Sequence, residues 1–186
     1  MDAGQHAEKK GRRRLRGFIS FFVMVGLAAL FSFLISTFVI QGYLIPSGSM
    51  ENTLMTGDRV FAEKISYYKG DIKQGDIVTF QDPEIPGRIL IKRCVAVAGQ
   101  TVDLRNGALY VNGEKLSEPY TLGKPSDPLR PTITYPYTVP SDTIWVMGDN
   151  RTNSQDSRYF GPIKTSTVSG RAICIYWPID HMSVLH

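Results

Sequence analysis

Positions 17–40 form a run of 24 residues without one charged side chain. A helix of that composition offers water no polar face, so it must be covered by a core or by lipid. At about 1.5 Å per residue it would be roughly 36 Å long, enough to cross a hydrocarbon core of about 30 Å once, with some tilt. A secretory signal peptide would carry an apolar stretch of about 7–15 residues followed by a small-residue cleavage site. This run is longer, and Gln41-Gly42-Tyr43-Leu44-Ile45-Pro46 provides no such site. The expectation is a retained single-pass anchor in contact with membrane lipid.

Charge fixes the expected orientation. Residues 1–16 hold Lys9, Lys10, Arg12, Arg13, Arg14 and Arg16 against Asp2 and Glu8, which accounts for the whole net charge of +4. The remaining 15 basic and 15 acidic residues balance, so the basicity is a flank of the helix and not a nucleic-acid surface. Positive flanks stay inside. This predicts a cytoplasmic tail at 1–16, a transmembrane helix at 17–40 and a globular part on the extracytoplasmic side of a cell membrane. The two cysteines, Cys94 and Cys174, lie in apolar alternating runs. Buried free thiols are the plain expectation, although a disulfide is permitted outside the cytoplasm. Neither has metal-ligand spacing to a histidine or second cysteine, so no metal site and no cofactor are predicted.

Beyond the anchor the chain reads as β. Residues 59–65, 76–80, 88–97, 143–147 and 169–177 are short, rich in β-branched and aromatic residues, and bounded by Gly, Pro or Asp. Gly57-Asp58 and Gly75-Asp76 introduce strands as tight turns do. Asn106-Gly107 and Asn112-Gly113 are hairpin signals, which makes residues 101–139 a small inserted β-region within a core formed by 41–100 and 140–186. Residues 122–140 are Pro-rich and irregular; their Tyr135 and Tyr137 either pack or touch lipid. The predicted fold class is mostly β, several small antiparallel sheets tethered by one N-terminal helix.

The chemistry centres on Ser49, in Pro46-Ser47-Gly48-Ser49-Met50 just past the apolar run. A serine nucleophile needs a base. His6 lies in the tail, and His181 and His186 lie in the last six residues, where ordering is doubtful. That disfavours a Ser-His-Asp triad and leaves a Ser-Lys pair. A lysine base must be neutral, which burial promotes. Lys92 stands in the apolar run Ile89-Leu90-Ile91-Lys92-Arg93-Cys94-Val95-Ala96-Val97; on a strand it shares a face with Leu90, Cys94 and Ala96. It is either desolvated for catalysis or solvated at a sheet edge. Ser66-Tyr67-Tyr68-Lys69 also satisfies Ser-x-x-Lys, but it follows a strand signal where the penicillin-binding pattern opens a helix. The polar segment 148–158 follows an apolar strand and is either a solvated turn or a set of supports for a catalytic pair.

Together these segments resemble the type I signal peptidases. Ser47-Gly48-Ser49-Met50 with Thr53-Leu54 and Gly57-Asp58, then Gly75-Asp76-Ile77-Val78, then Lys92-Arg93, then Gly148-Asp149-Asn150-Arg151 through Asn153-Ser154, Asp156 and Ser157-Arg158 stand in that family's order. The resemblance implies an endopeptidase that removes signal peptides from exported preproteins through an acyl-enzyme, cleaving after small residues, near the export machinery. It implies Ser49 as nucleophile, Lys92 as general base, the Ser49 N–H and the Ser47 hydroxyl as oxyanion donors, and Ser154 as the group that holds the Lys92 amine. It implies a structural ion-pair set of Asp156 and Arg158 near Arg93, completed by Asp149 and Asn153. Ile45, Leu54 and Ile91 match pocket-lining positions; the alternative for each is ordinary core. Thr152, at a position often acidic in the family, is expected to face solvent.

Overall fold

The computed structural model describes residues 3–69 and 72–185, with side chains described except at 3–16, 68 and 69. The expectation for the charges of residues 1–16 therefore lies outside the described side chains. The chain divides into two units, residues 1–39 and 40–186.

The first unit is one helix, α1 (Ala3–Phe38). It begins well before position 17, because the segment around residues 3–16 is built largely from strong helix formers (Ala, Glu, Lys, Arg) that simply continue the turn. Its stretch Gly17–Phe38 has a mean hydropathy of 2.6, and none of its most apolar window is buried. By length and composition it can cross a membrane.

Among the described residues, the strands of the second unit pair antiparallel. Its strands are β1 (Ile40–Leu44), β2 (Arg59–Glu63), β3 (Ile77–Gln81), β4 (Ile89–Val97), β5 (Thr101–Arg105), β6 (Ala108–Val111), β7 (Glu114–Lys115), β8 (Tyr137–Thr138), β9 (Thr143–Met147), β10 (Ile163–Lys164), β11 (Val168–Trp177) and β12 (Ser183–Val184). Eight form one sheet in the order β1-β2-β11-β3-β4-β9-β10, with β12 added to β11, and four form a second sheet, β7-β6-β5-β8. One-turn helices α2 (Ser66–Lys69) and α3 (Ser157–Phe160) join strands. The second sheet follows from its turns. Asn106, Gly107, Asn112 and Gly113 all have positive φ, the geometry that a two-residue hairpin turn demands.

One cluster joins the two sheets: Val95, Ala96, Trp145 and Met147 of the large sheet meet Val102, Leu109, Val111 and Val139. Tyr135 and Tyr137 pack there, with ring centroids 6.0 and 4.9 Å from that of fully buried Trp145. A second cluster holds Ile45, Met50, Leu54, Val60, Ile77, Ala172 and Ile175, and a third holds Val78, Phe80, Cys94, Ile144, Val146 and Ile163. Cys94 is buried, Cys174 is half-buried, and both are free thiols. The expected alternation along β4 breaks once. A register shift between Cys94 and Ala96 against β9 puts Val95 and Ala96 together in the inter-sheet cluster, while Cys94 stays with the third. The bulge inserts a residue and so cancels the period of two.

Candidate active site

Ser49 sits in a 3-10 turn, Gly48–Met50, inside a loop closed by Ile45 N–H to Asp58 O at 2.9 Å and Gly57 N–H to Ile45 O at 2.9 Å. Apolar side chains anchor that loop: Ile45, Met50 and Leu54 are all within the second cluster and are 2%, 0% and 0% exposed. Ser49, between these plugs, stays half-buried and reachable.

Lys92 Nζ lies 2.6 Å from Ser49 Oγ and 3.0 Å from the Ile91 carbonyl, donating to both. The lysine is 3% exposed. It is no solvated edge lysine: its side chain is buried, although β9 pairs with β4 only from Arg93 onward. Val78 pairs with it across β3. Burial pushes its amine down to about 8, against an opposing pull from Asp156 and then Asp149.

The segment 148–158 is a lattice of buried charges. Arg93 Nε and Nη2 donate to the two oxygens of Asp149 at 2.9 and 2.8 Å, and Nη1 donates to Gly75 O at 3.0 Å. Asp149 also accepts from the Thr53 hydroxyl at 2.5 Å. One carboxylate thus ties the Ser49 loop to the residue beside Lys92. Asp156 accepts from Arg158 at 2.9 Å, from Gly148 N–H at 3.0 Å and from the Ser154 hydroxyl at 2.7 Å. Burial alone would raise the Asp156 carboxyl; Arg158 and these donors outweigh it and hold it below its usual range. The ion pairs are therefore separate, Arg93 with Asp149 and Arg158 with Asp156.

Several expected contacts differ. The Ser154 hydroxyl donates to Asp156, and the Lys92 amine bonds Ser49 and Ile91 instead. Asn153 is exposed and contributes its backbone N–H to Asn150 O at 3.0 Å. Thr152 faces solvent. Ser47 is exposed at the start of the 3-10 turn, and its side chain makes no capping bond. Ile45, Leu54 and Ile91 pack in one cluster, the first two buried and Ile91 half-exposed. His181 is ordered, with Nδ1 2.9 Å from buried Asp58; His186 lies outside the described residues. Ser66–Lys69 does form a helical turn, contrary to the strand-end expectation, and Ser66 Oγ accepts from Arg171 at 3.3 Å.

Sequence reasoning missed the partners drawn from the insert. Glu118 takes both terminal nitrogens of buried Arg151, Ser126 accepts from the same guanidinium, and Tyr120 lies under Arg93. Their one local signal is the polar, Pro-rich composition itself, which marks a loop and nothing more.

A serine hydroxyl against a buried amine is an arrangement that can serve nucleophilic catalysis. The family model described as signal peptidase, peptidase S26, matches residues 18–177. The chain belongs to this family. It is 35% identical over 169 residues to the signal peptidase I of Leptolyngbya laminosa, covering 87% of this chain and 80% of that one. It is 38% identical over 166 residues to a probable signal peptidase I-1 of Synechocystis (86% and 82% covered). It is 33% identical over 183 residues to signal peptidase I T of Bacillus subtilis (95% and 94% covered). The four segments that carried the resemblance, from Ser47 to Arg158, all fall inside the matched span.

Proposed function

We propose that this protein is a membrane-anchored serine endopeptidase that removes signal peptides from exported preproteins, with Ser49 as nucleophile and Lys92 as general base. The observation that carries the reading is the 2.6 Å contact between Lys92 Nζ and Ser49 Oγ, with that amine buried and held down to about 8. A neutral amine can take the serine proton near neutral pH; a surface lysine, at about 10.4, could not.

Neutral Lys92 takes the Ser49 hydroxyl proton as Oγ bonds the scissile carbonyl carbon. The carbonyl π pair moves to oxygen, where the Ser49 N–H and the Ser47 hydroxyl stabilise it. The intermediate collapses, the C–N bond breaks, and the Lys92 ammonium gives its proton to the departing amine. Water then attacks the ester, Lys92 takes the water's proton and returns it to Ser49 Oγ, and the acid is released. Every proton is accounted for by one lysine.

The substrate strand has a natural seat. β4 pairs with β3 over Ile89–Arg93 but with β9 only from Arg93 onward, so its first half keeps a free edge toward that side. An extended peptide can add there by main-chain hydrogen bonds. Ile45 and Leu54 as a closed apolar floor, with Ile91 half-exposed beside them, suit a small side chain such as the alanines of an Ala-x-Ala site. The helix of mean hydropathy 2.6 supplies the anchor, and the basic residues of 1–16 argue for a cytoplasmic N-terminus. Holding enzyme and preprotein in one bilayer, near the export machinery, raises their effective concentration.

The test is cleavage of a purified Ala-x-Ala preprotein by the full chain in detergent micelles. Wild type cleaves after the second alanine, and Ser49→Ala and Lys92→Ala do not. Activity surviving in either variant would overturn the dyad.

A further inference from the structure

We propose that Asn150 is a positioning residue of the oxyanion site, and that Lys124 and Glu51 fix which way round its amide stands. The inference rests on the peptidase reading and adds to it. The Gly48 carbonyl and the Ser49 N–H are opposite ends of one planar trans peptide. Whatever holds the carbonyl therefore aims the N–H. Asn150 Nδ2 donates to Gly48 O at 2.9 Å. The backbone N–H of Asn150 donates to Ser49 O at 3.1 Å. One residue thus grips both peptide planes that flank the nucleophile's Cα.

The grip matters because Gly48 is the least restrained residue of the turn. A Cβ there would overlap the Glu51 carboxylate folded above it, so a larger residue would displace that carboxylate. The peptide that must present the oxyanion donor is hence the one most able to rotate.

The amide itself is held by charge. Nδ2 also donates to Glu51 Oε2 at 2.9 Å, and Oδ1 accepts from Lys124 Nζ at 2.8 Å. Turned over, Oδ1 would face the Gly48 carbonyl and the Glu51 carboxylate, and Nδ2 would face an ammonium. Three attractive contacts would become three repulsive ones. Asn150 is 3% exposed, so water does not relieve that mismatch. Lys124 lies in the inserted region, outside all four segments that carry the family resemblance, and through Asn150 it reaches the site.

The full chain in micelles is assayed as wild type, Asn150→Ala and Lys124→Met, on the Ala-x-Ala preprotein. Binding is measured for a peptide aldehyde ending in the Ala-x-Ala sequence, which adds to Ser49 and places an oxyanion, and for the corresponding unreactive alcohol. Asn150→Ala is expected to lower kcat about 100-fold with KM within about twofold, the scale of one lost oxyanion donor. Aldehyde affinity falls by a similar factor, alcohol affinity holds, and the pH midpoint set by Lys92 stays in place. Lys124→Met shows the same pattern at about fivefold, the worth of one hydrogen bond. Equal losses for aldehyde and alcohol, a loss confined to KM, or a moved pH midpoint would overturn the assignment. If Asn150→Ala does not fold, unchanged kcat in Lys124→Met overturns it alone. Wild type that cleaves beside unaffected variants removes this inference and leaves the peptidase reading; wild type that does not cleave removes both.

Discussion

The Arg93 guanidinium lies 4.0 Å above the centre of the Tyr120 ring. Its edge meets Asp149 and the Gly75 carbonyl, and the ring covers one face of a charge that is 5% exposed. Tyr120 in turn donates its hydroxyl to Glu118, which pairs with Arg151. The inserted region thus covers the charged side chains Arg93 and Arg151. Tyr120→Ala should cost about 3 kcal/mol, from lost aromatic burial and cation–π contact, whereas Tyr120→Phe stays within about 1 kcal/mol because the ring remains. Urea unfolding of the full chain in micelles measures both.

Removing one partner of a buried pair leaves the other charge uncompensated. Asp149→Asn is expected to destabilise the protein by about 3–5 kcal/mol and to lower kcat more than tenfold, since Asp149 braces both the Thr53 side and the Arg93 side of the site. A double variant, Arg93→Met with Asp149→Leu, should be less unstable than Asp149→Asn. Denaturation midpoints of the two variants decide this.

The buried amine sets the pH response. With Lys92 as the proposed base, the neutral share of its amine shrinks as pH drops through about 8, so kcat/KM is expected to fall about tenfold for each unit of pH lost well below that value and to level above it. Lys92→Arg is inactive throughout, because a guanidinium stays charged. The linkage to stability has a definite sign. The native pKa lies below the unfolded one, so between about 8 and 10.5 the unfolded chain binds more protons. Stability contributed by this group therefore rises with pH across that window. Lys92→Met should abolish that rise and melt higher at pH 7, as thermal unfolding at several pH values will show.

Gly148 backs the nucleophile. A Cβ there would overlap Ser154 Oγ and stand 2.5 Å from the Ser49 carbonyl. The serine side chain can rotate, but the backbone of the 3-10 turn has little room to retreat. Gly148→Ala is expected to cost about 1–3 kcal/mol and to lower kcat at least tenfold, whereas Thr152→Ala, at an exposed position, changes neither. Melting temperature and steady-state rates on the same preparations separate the two effects.

Strands were legible wherever β-branched runs ended in Gly, Pro or Asp, and the second sheet was legible from two Asn-Gly turns. Ser49 and the buried Lys92 stood out because one lies beside an apolar run and the other inside one. What stayed hidden depends on partners far apart in sequence. Glu118 meets Arg151 across 33 positions, and Asn52 donates to Tyr120 O across 68, contacts that no local period encodes. The bulge after Cys94 was hidden for a different reason. An inserted residue leaves the composition of β4 unchanged and alters only which cluster Ala96 enters. His181 looked like a loose end because its partner, Asp58, lies 123 positions away.

As the proposed substrate seat, the first half of β4, open on its β9 side, also says what the protein need not read. A ladder of carbonyls and amides is identical for every residue but one, so a chain docked on it is recognised for its straightness and not its spelling. Such a seat tolerates an open-ended vocabulary of substrates. It turns away the segment that stays coiled, and it penalises proline, which arrives without the hydrogen that the edge expects.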